Sequence, residues 1–353
     1  MKLFILQTTI PDYRGKFFAE LKKRLCDEFG FACGDNYFEK SVKTDWSIKG
    51  ISSIKNHYFF NREILFQSGM FRKSIAAQVL ILEMNPRIIT NWIILVIRRL
   101  VNKKTVLWGH AWPRKGENSS SDILRGLMRK LADIIVTYTE KQLEELKKKM
   151  PGKEIVFAPN SLYYKEEMKV SNKFEPLDVI YVGRLTEAKK PLILVKAFSK
   201  LSESLPEGAR LIIVGEGPEK ESLLSFIKKN KMEDRIKILG HISDFKVIGN
   251  LYSQALLSVS PGYVGLSITQ SFAFGVPMLI SKDENHSPEI EAAIDGENSS
   301  FFVTDNIDDL SNKISNFYKN RKFWEQKRKG ISEYCRERYS IERMVQPFLD
   351  LVT

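Results

Sequence analysis

Cysteine, histidine and long apolar runs are scarce in this chain of 353 residues, and each scarcity removes a class of protein. Three cysteines, Cys26, Cys33 and Cys335, none in a Cys-x-x-Cys pair, cannot build a disulfide framework or a structural zinc site, and they point to a reducing compartment. The opening MKLFILQTTIPDY is broken by Pro11 and Asp12; it is too short for a signal peptide and reads as a first core strand. There is no Asp-x-Asp pair and no His, Cys, Asp or Glu cluster at metal-ligand spacing, so no metal site is expected. Without a Gly-x-Ser-x-Gly elbow, Ser-His-Asp hydrolysis has no support. Zinc-finger, RNP-type and basic-heptad patterns are also missing, which argues against nucleic acid as a partner.

What is present is a globular composition, 43% hydrophobic and 28% charged, with a formal charge of +12 that is unevenly placed. Residues 1–170 hold 30 Lys and Arg against 18 Asp and Glu, whereas the remainder holds 25 of each. The first half therefore faces something negative, and an anionic membrane surface is the expected partner. Two stretches could make that contact. Residues 86–102, PRIITNWIILVIRRLVN, are apolar on almost every side and end in Arg98, Arg99, Lys103 and Lys104; the alternative is a helix packed on a sheet. Residues 42–75 interleave Trp46, Tyr58, Phe59, Phe60, Phe66 and Phe71 with Lys43, Lys49, Lys55, Arg62, Arg72 and Lys73, a composition shared by interfacial patches and by irregular core segments.

Short apolar runs at 3–7, 79–83, 105–109, 133–137 and 155–158 alternate with helical segments at 15–29, 71–77, 87–102, 123–131 and 140–149. The alternation restarts with runs at 178–183, 210–214, 236–239, 256–260 and 277–281, with helices near 190–203, 218–230, 245–250, 267–274 and 288–294, and terminal helices at 308–330 and 340–352. The pattern predicts an α/β chain of two Rossmann-like, doubly wound parallel-sheet domains: residues 1–165, a linker at 166–177, residues 178–335, and a closing helix at 336–353.

The most informative stretch is PGYVGLSITQSFAFGVP at 261–277, followed by the acidic HSPE at 286–289. Gly262 and Gly265 leave backbone amides uncovered in a turn, and a helix begins at Ser267, an arrangement suited to a phosphate group. Ordinary strand-to-helix punctuation reads the same way. Its companions are YVGRLTEAKKP at 181–191, LIIVGEGPEKESL at 211–223 and ILGHISD at 238–244, each after an apolar run.

Together, in this order, these motifs resemble the C-terminal half of retaining glycosyltransferases of family 4, which have the GT-B fold. IPDYRGKFFAEL at 10–21, VLWGH at 106–110 and ADIIVTYTE at 132–140 are similar to the acceptor-side domain of bacterial surface-polysaccharide enzymes in that family. The resemblance covers nearly the whole chain and implies two domains facing across a cleft. It implies transfer of a sugar from a nucleoside-diphosphate-sugar donor to a lipid-linked or surface-polysaccharide acceptor, with no metal and no further cofactor. It also implies a cytoplasmic enzyme, peripheral on the inner face of the cytoplasmic membrane. In the Gly-Arg-Leu-x-x-x-Lys pattern, Arg184 and Lys189 would hold the donor diphosphate as charge develops on the leaving group.

The same resemblance makes Gly265 and Leu266 amide donors to the distal phosphate, places Gly215 and Gly217 at the nucleotide, and gives His110 to the donor sugar. Arg14 would contact phosphate or acceptor. Asp12 would orient the acceptor hydroxyl, or alternatively cap the following helix. The chain departs from the family at its Glu-x7-Glu pair, where Gly262 and Gln270 stand; Gln270 can still meet ribose hydroxyls, and the sugar would be read by Ser260, Tyr263 or a first-domain residue. Glu289 matches an acidic family position or caps a helix, while His57, His241 and His286 read as structural. A nucleotide-sugar 2-epimerase and an inactive nucleotide- or glycan-binding paralogue are the alternatives.

Overall fold

The computed structural model describes all residues except 114, 115, 118, 172 and 353. The chain divides into two compact units, Met1–Leu162 with Ile341–Thr353, and Tyr163–Ser340. The first unit is thus built from two separate stretches, and the expected linker segment 166–177 falls within the second.

In the first unit the strands are β1 (Leu3–Gln7), β2 (Phe29–Cys33), β3 (Ile51–Ser53), β4 (Lys55–Phe59), β5 (Ile64–Ser68), β6 (Val79–Glu83), β7 (Lys104–Trp108), β8 (Ile134–Thr137) and β9 (Glu154–Phe157). Seven of them form one parallel sheet in the order β3-β2-β1-β6-β7-β8-β9, while β4 and β5 pair as a separate antiparallel hairpin. Helices α1 (Gly15–Leu25), α2 (Phe71–Ala76), α3 (Ile89–Leu100), α4 (Ser120–Leu131) and α5 (Glu140–Lys149) join the strands. LFIL, VLIL and IIV are buried throughout because helices cover both sheet faces, the usual reason parallel strands read as unbroken apolar runs.

The second unit repeats the plan. Strands β10 (Asp178–Val182), β11 (Leu211–Val214), β12 (Ile236–Ile238), β13 (Ala255–Ser260), β14 (Met278–Ser281) and β15 (Ser299–Phe302) pair in parallel in the order β12-β11-β10-β13-β14-β15. The helices are α6 (Pro191–Leu201), α7 (Lys220–Lys229), α8 (Phe245–Gln254), α9 (Ser267–Ala273), α10 (Ile307–Lys319) and α11 (Arg321–Arg338). The segment expected as a helix at 288–294 is a short 3-10 turn, Pro288–Ala292, and the single helix expected at 308–330 is two, α10 and α11.

The last helix, α12 (Ile341–Asp350), closes the first unit. Its Phe348 packs edge-on against Phe17 of α1 at 5.0 Å and against Trp108 of β7 at 4.8 Å between ring centroids. Arg98, expected at a charged helix end, is instead buried: it donates to the carbonyls of Ser74 and Ala77 at 2.8 and 2.9 Å and to Thr105 Oγ1 at 2.8 Å. Burial lowers its guanidinium to about 10, and the carbonyls it collects are the end of α2, so it ties α2, α3 and β7 together.

Candidate functional site

Both sheets reverse strand order once, and the loops at those reversals hold the residues of interest. In the second unit β11 and β12 run to one side of β10, and β13, β14 and β15 to the other. The loops leaving β10 and β13 therefore part company at their carboxyl ends, where open α/β sheets receive ligands.

The loop after β10 carries Arg184 and Lys189, and the loop after β13 carries Tyr263. Arg184 Nη2 donates to the Tyr263 hydroxyl at 3.3 Å, and Lys189 Nζ donates to the Tyr263 carbonyl at 2.7 Å. The same ammonium lies 3.5 Å from the centroid of the Tyr263 ring. The two cations expected from Gly-Arg-Leu-x-x-x-Lys are thus gathered on one tyrosine. Burial pushes Lys189 down to about 8, the neighbouring Arg184 charge pushes in the same direction, and Glu289 works against both. Lys190, by contrast, is consumed by ion pairs to Glu284 at 2.7 Å and Asp305 at 2.6 Å.

The glycines around these cations are required by backbone contacts. At Gly262 a Cβ would stand 2.4 Å from the Ala188 carbonyl oxygen and 2.8 Å from the Lys189 carbonyl carbon, so the position expected to show a family glutamate has no room for a side chain. Gly215 and Gly217 touch the Arg184 loop from the other side: added Cβ atoms would meet Gly183 O at 1.8 Å and Leu185 O at 2.2 Å. These two glycines shape the loop that presents Arg184, and the backbone bond from Leu185 N to Glu216 O, 2.9 Å, locks the pair of loops. Gly265 has space, its nearest neighbour being Ser287 Oγ at 3.6 Å. Leu266 ends the loop, and the first turn of α9 begins there with amides that lack intrahelical acceptors.

His286 holds this loop. Its Nδ1 accepts from Val264 N at 3.0 Å while its Nε2 donates to the Ser281 carbonyl at 2.9 Å, a pairing that only the neutral ring can make. Burial lowers its basicity accordingly. Gln270 donates through Nε2 to the hydroxyl of the buried Tyr163 at 2.9 Å. The amide expected to face ribose therefore has one hydrogen-bonding partner within its own unit.

In the first unit the reversal lies at β1 and β6, since β2 and β3 run one way and β7, β8 and β9 the other. Asp12 and Arg14 follow β1 in a short 3-10 turn, Asp12–Arg14. The Asp12 carboxylate accepts from its neighbour Tyr13 N at 2.8 Å, and the residue before α1 is Arg14, so Asp12 does not cap that helix. Arg14 lies inward, its guanidinium 4.7 Å from the Trp108 ring centroid, and donates to the Tyr138 hydroxyl at 3.4 Å. Tyr138 in turn lies against the ring of His110, tilted at 56° with centroids 4.7 Å apart; His110 is exposed beyond the end of β7. Arg14 and His110 are therefore brought to one edge of this unit through Tyr138.

The carboxylate that sequence reasoning passed over is Glu83, the last residue of β6. Thr8 at the end of β1 donates to it twice, from its amide to Oε1 at 2.5 Å and from Oγ1 to Oε2 at 2.8 Å, which joins the two strands at their parting. Burial raises the Glu83 carboxyl above the usual range, and the Arg14 charge opposes the rise. A charged residue closing the apolar run VLIL was the available signal.

Residues 164–338 match the family model described as Glycosyl transferases group 1. An uncharacterized glycosyltransferase of Haemophilus influenzae is 24% identical over 250 residues, 70% of this chain and 69% of that protein. The Campylobacter jejuni enzyme N-acetylgalactosamine-N,N'-diacetylbacillosaminyl-diphospho-undecaprenol 4-alpha-N-acetylgalactosaminyltransferase is 27% identical over 145 residues, 38% of this chain and 37% of that one. The crystal structure of HepE from Anabaena in complex with UDP superposes with a TM-score of 0.73 at 14% identity, covering 99% of both chains. The fold is accordingly GT-B, and the second unit carries a glycosyl transferases group 1 domain. In fold and in this matched stretch the chain is similar to glycosyltransferases.

Proposed function

We propose that this protein moves a sugar, with retention of anomeric configuration, from a nucleoside-diphosphate sugar to a lipid-linked or surface-polysaccharide acceptor, without a metal ion. The observation that carries the reading is the joining of Arg184 and Lys189 on Tyr263, at the strand-order reversal of the second sheet and beside the Gly265–Leu266 loop. Two fixed cations next to uncovered amides suit a diphosphate whose charge grows as the glycosidic bond breaks. UDP in the HepE crystal and the diphospho-undecaprenol acceptor in the name of the Campylobacter enzyme support a uridine nucleotide and a lipid-borne acceptor. On this reading Gly265 and Leu266 meet the distal phosphate, Gln270 the ribose and His110 the donor sugar. Arg14 and Asp12 serve the acceptor, and the enzyme works at the inner face of the cytoplasmic membrane.

The test is turnover. The protein is incubated with UDP-, GDP- and dTDP-sugars and membrane-extracted acceptors, and product masses are followed with and without EDTA. Transfer that persists in EDTA is expected, together with a fall in kcat/KM of about two orders of magnitude in Arg184→Ala. Full activity in that variant would overturn the assignment of Arg184, and loss in EDTA with rescue by Mn²⁺ would overturn metal independence.

A further inference from the structure

Helix α3 presents an outward stripe that is apolar where a surface helix is ordinarily polar. Ile89, Ile93, Val96 and Leu100 recur at helical spacing and are all exposed, Leu100 to 80%. The opposite side of the helix, with Asn91, Ile94, Leu95 and Arg98, is the side buried on the sheet. The neighbouring α4 adds Ile123, Leu124 and Leu127, each at least half exposed, and it touches α3 directly. Hairpin β4–β5 packs on α3 as well; its tip carries Phe60, 75% exposed and held with Asn61 and Arg62 in the left-handed region at φ 51°, 49° and 67°. Holding three consecutive non-glycine residues in that region costs energy that display of Phe60 would explain.

The charge around this face is predominantly positive, with Asp133, paired to Arg99 at 3.4 Å, as an acidic neighbour. Between residues 84 and 116 the sequence has seven Lys and Arg and no Asp or Glu. Arg99, Lys103 and Lys130 are exposed beside the stripe. A second copy of the chain would bring the same cations against themselves, whereas an anionic lipid surface complements them. No helix among the described residues is long and apolar enough to cross a membrane, so the fitting mode is to lie on the surface.

We infer that the outer face of α3 and α4, with the Phe60 tip, docks this protein on an anionic bilayer, its apolar side chains entering the headgroup boundary while Arg99, Lys103 and Lys130 meet lipid phosphates. The inference names the partner surface for the membrane-borne acceptor proposed above and rests on that reading only for its purpose. It also moves the contact away from Lys43 and Lys49, which lie in the segment joining β2 to β3, at the other edge of the sheet from β7.

The experiment is co-sedimentation of the whole chain with phosphatidylglycerol–phosphatidylcholine vesicles and with phosphatidylcholine alone, across a salt series. Binding is expected to need the anionic lipid and to weaken with salt. It should fall by about tenfold or more in the triple variant Ile93→Ser, Val96→Ser, Leu100→Ser and, separately, in Leu124→Ser with Leu127→Ser, each with wild-type melting temperature. Lys43→Gln with Lys49→Gln should bind as wild type. Equal binding to neutral vesicles, undiminished binding in both apolar variants, or a dimer in solution that these variants dissociate would overturn the inference. Turnover on a water-soluble acceptor separates the two readings: an inactive protein that binds the vesicles sinks the transferase reading alone, and an active one that ignores them sinks this inference alone.

Discussion

Lys189 is a cation short of water. Burial pushes its ammonium, which lies over the Tyr263 ring, down to about 8, and the neighbouring Arg184 charge pushes the same way. The sign follows from this. On the proposed reading, below about 8 the group is charged and both cations meet the donor; above it the site loses one of them, and binding a diphosphate would draw a proton back from solvent. The KM for the donor is therefore expected to be flat from pH 6.5 to 7.5 and to rise by up to about tenfold for each pH unit above 8, with kcat less affected. Steady-state kinetics across that range check it, and a KM that ignores pH would remove Lys189 from the donor. Arg184 and Lys189 were legible in the sequence because a strand-end glycine followed by fixed spacing leaves a signature. Glu83 left none beyond its place at the end of an apolar run, since its environment is made by Thr8 and Arg14, 75 and 69 residues away in sequence. Asp12 stood out because it lies inside a motif; its carboxylate accepts from the Tyr13 amide.

At the scale of elements, the loops of the second unit are held by glycine contacts that no local pattern reports. Replacing Gly262 by alanine forces the 188–189 backbone, and with it Lys189, out of place, because the new methyl would lie 2.4 Å from Ala188 O. A loss of about tenfold or more in kcat/KM is expected, with little change in melting temperature, whereas Gly330→Ala in α11, where nothing lies within 4 Å, should leave kinetics unchanged. The long periodic elements were readable: every strand of the second sheet but β15 matches an apolar run, and α3 (Ile89–Leu100) lies within the helix expected at 87–102. Elements whose partners decide them were not. Strand β2 is FGFAC, short and broken by Gly30, and β3 has three residues; each becomes a strand by pairing with a neighbour already in the sheet. The β4–β5 hairpin turns on Phe60, Asn61 and Arg62 without any glycine, so the usual turn signal is absent. What α3 shows to its surroundings was likewise open, since an all-round apolar helix has the same sequence whether its outer side is covered or exposed.

At the scale of the whole molecule, each unit brings the polar residues named above to loops where its sheet reverses, the place where this fold class leads one to look for a site, though not to any one residue in it. The first half carries all the excess positive charge, and three of its exposed cations, Arg99, Lys103 and Lys130, lie beside the apolar face of α3 and α4. The integrity of the first unit depends on residues far along the chain. Truncating Phe348 to alanine, which empties a contact shared by Phe17 and Trp108, is expected to destabilise that unit by about 3–5 kcal/mol. Native-state hydrogen exchange should show the loss at α1 and β7 and leave β10 and β13 unaffected.

The aromatic seat formed by Phe17 and Trp108 has a consequence in time. During synthesis residues 1–162 emerge first, yet their closing helix is not made until residue 350, after the entire Tyr163–Ser340 stretch has followed. At roughly 5–20 residues per second that is an interval on the order of 10–40 s. Throughout it the second unit can finish folding as one continuous length while the first waits with an unfilled apolar groove, a period in which a chaperone has something to bind and a stalled chain has something to aggregate through.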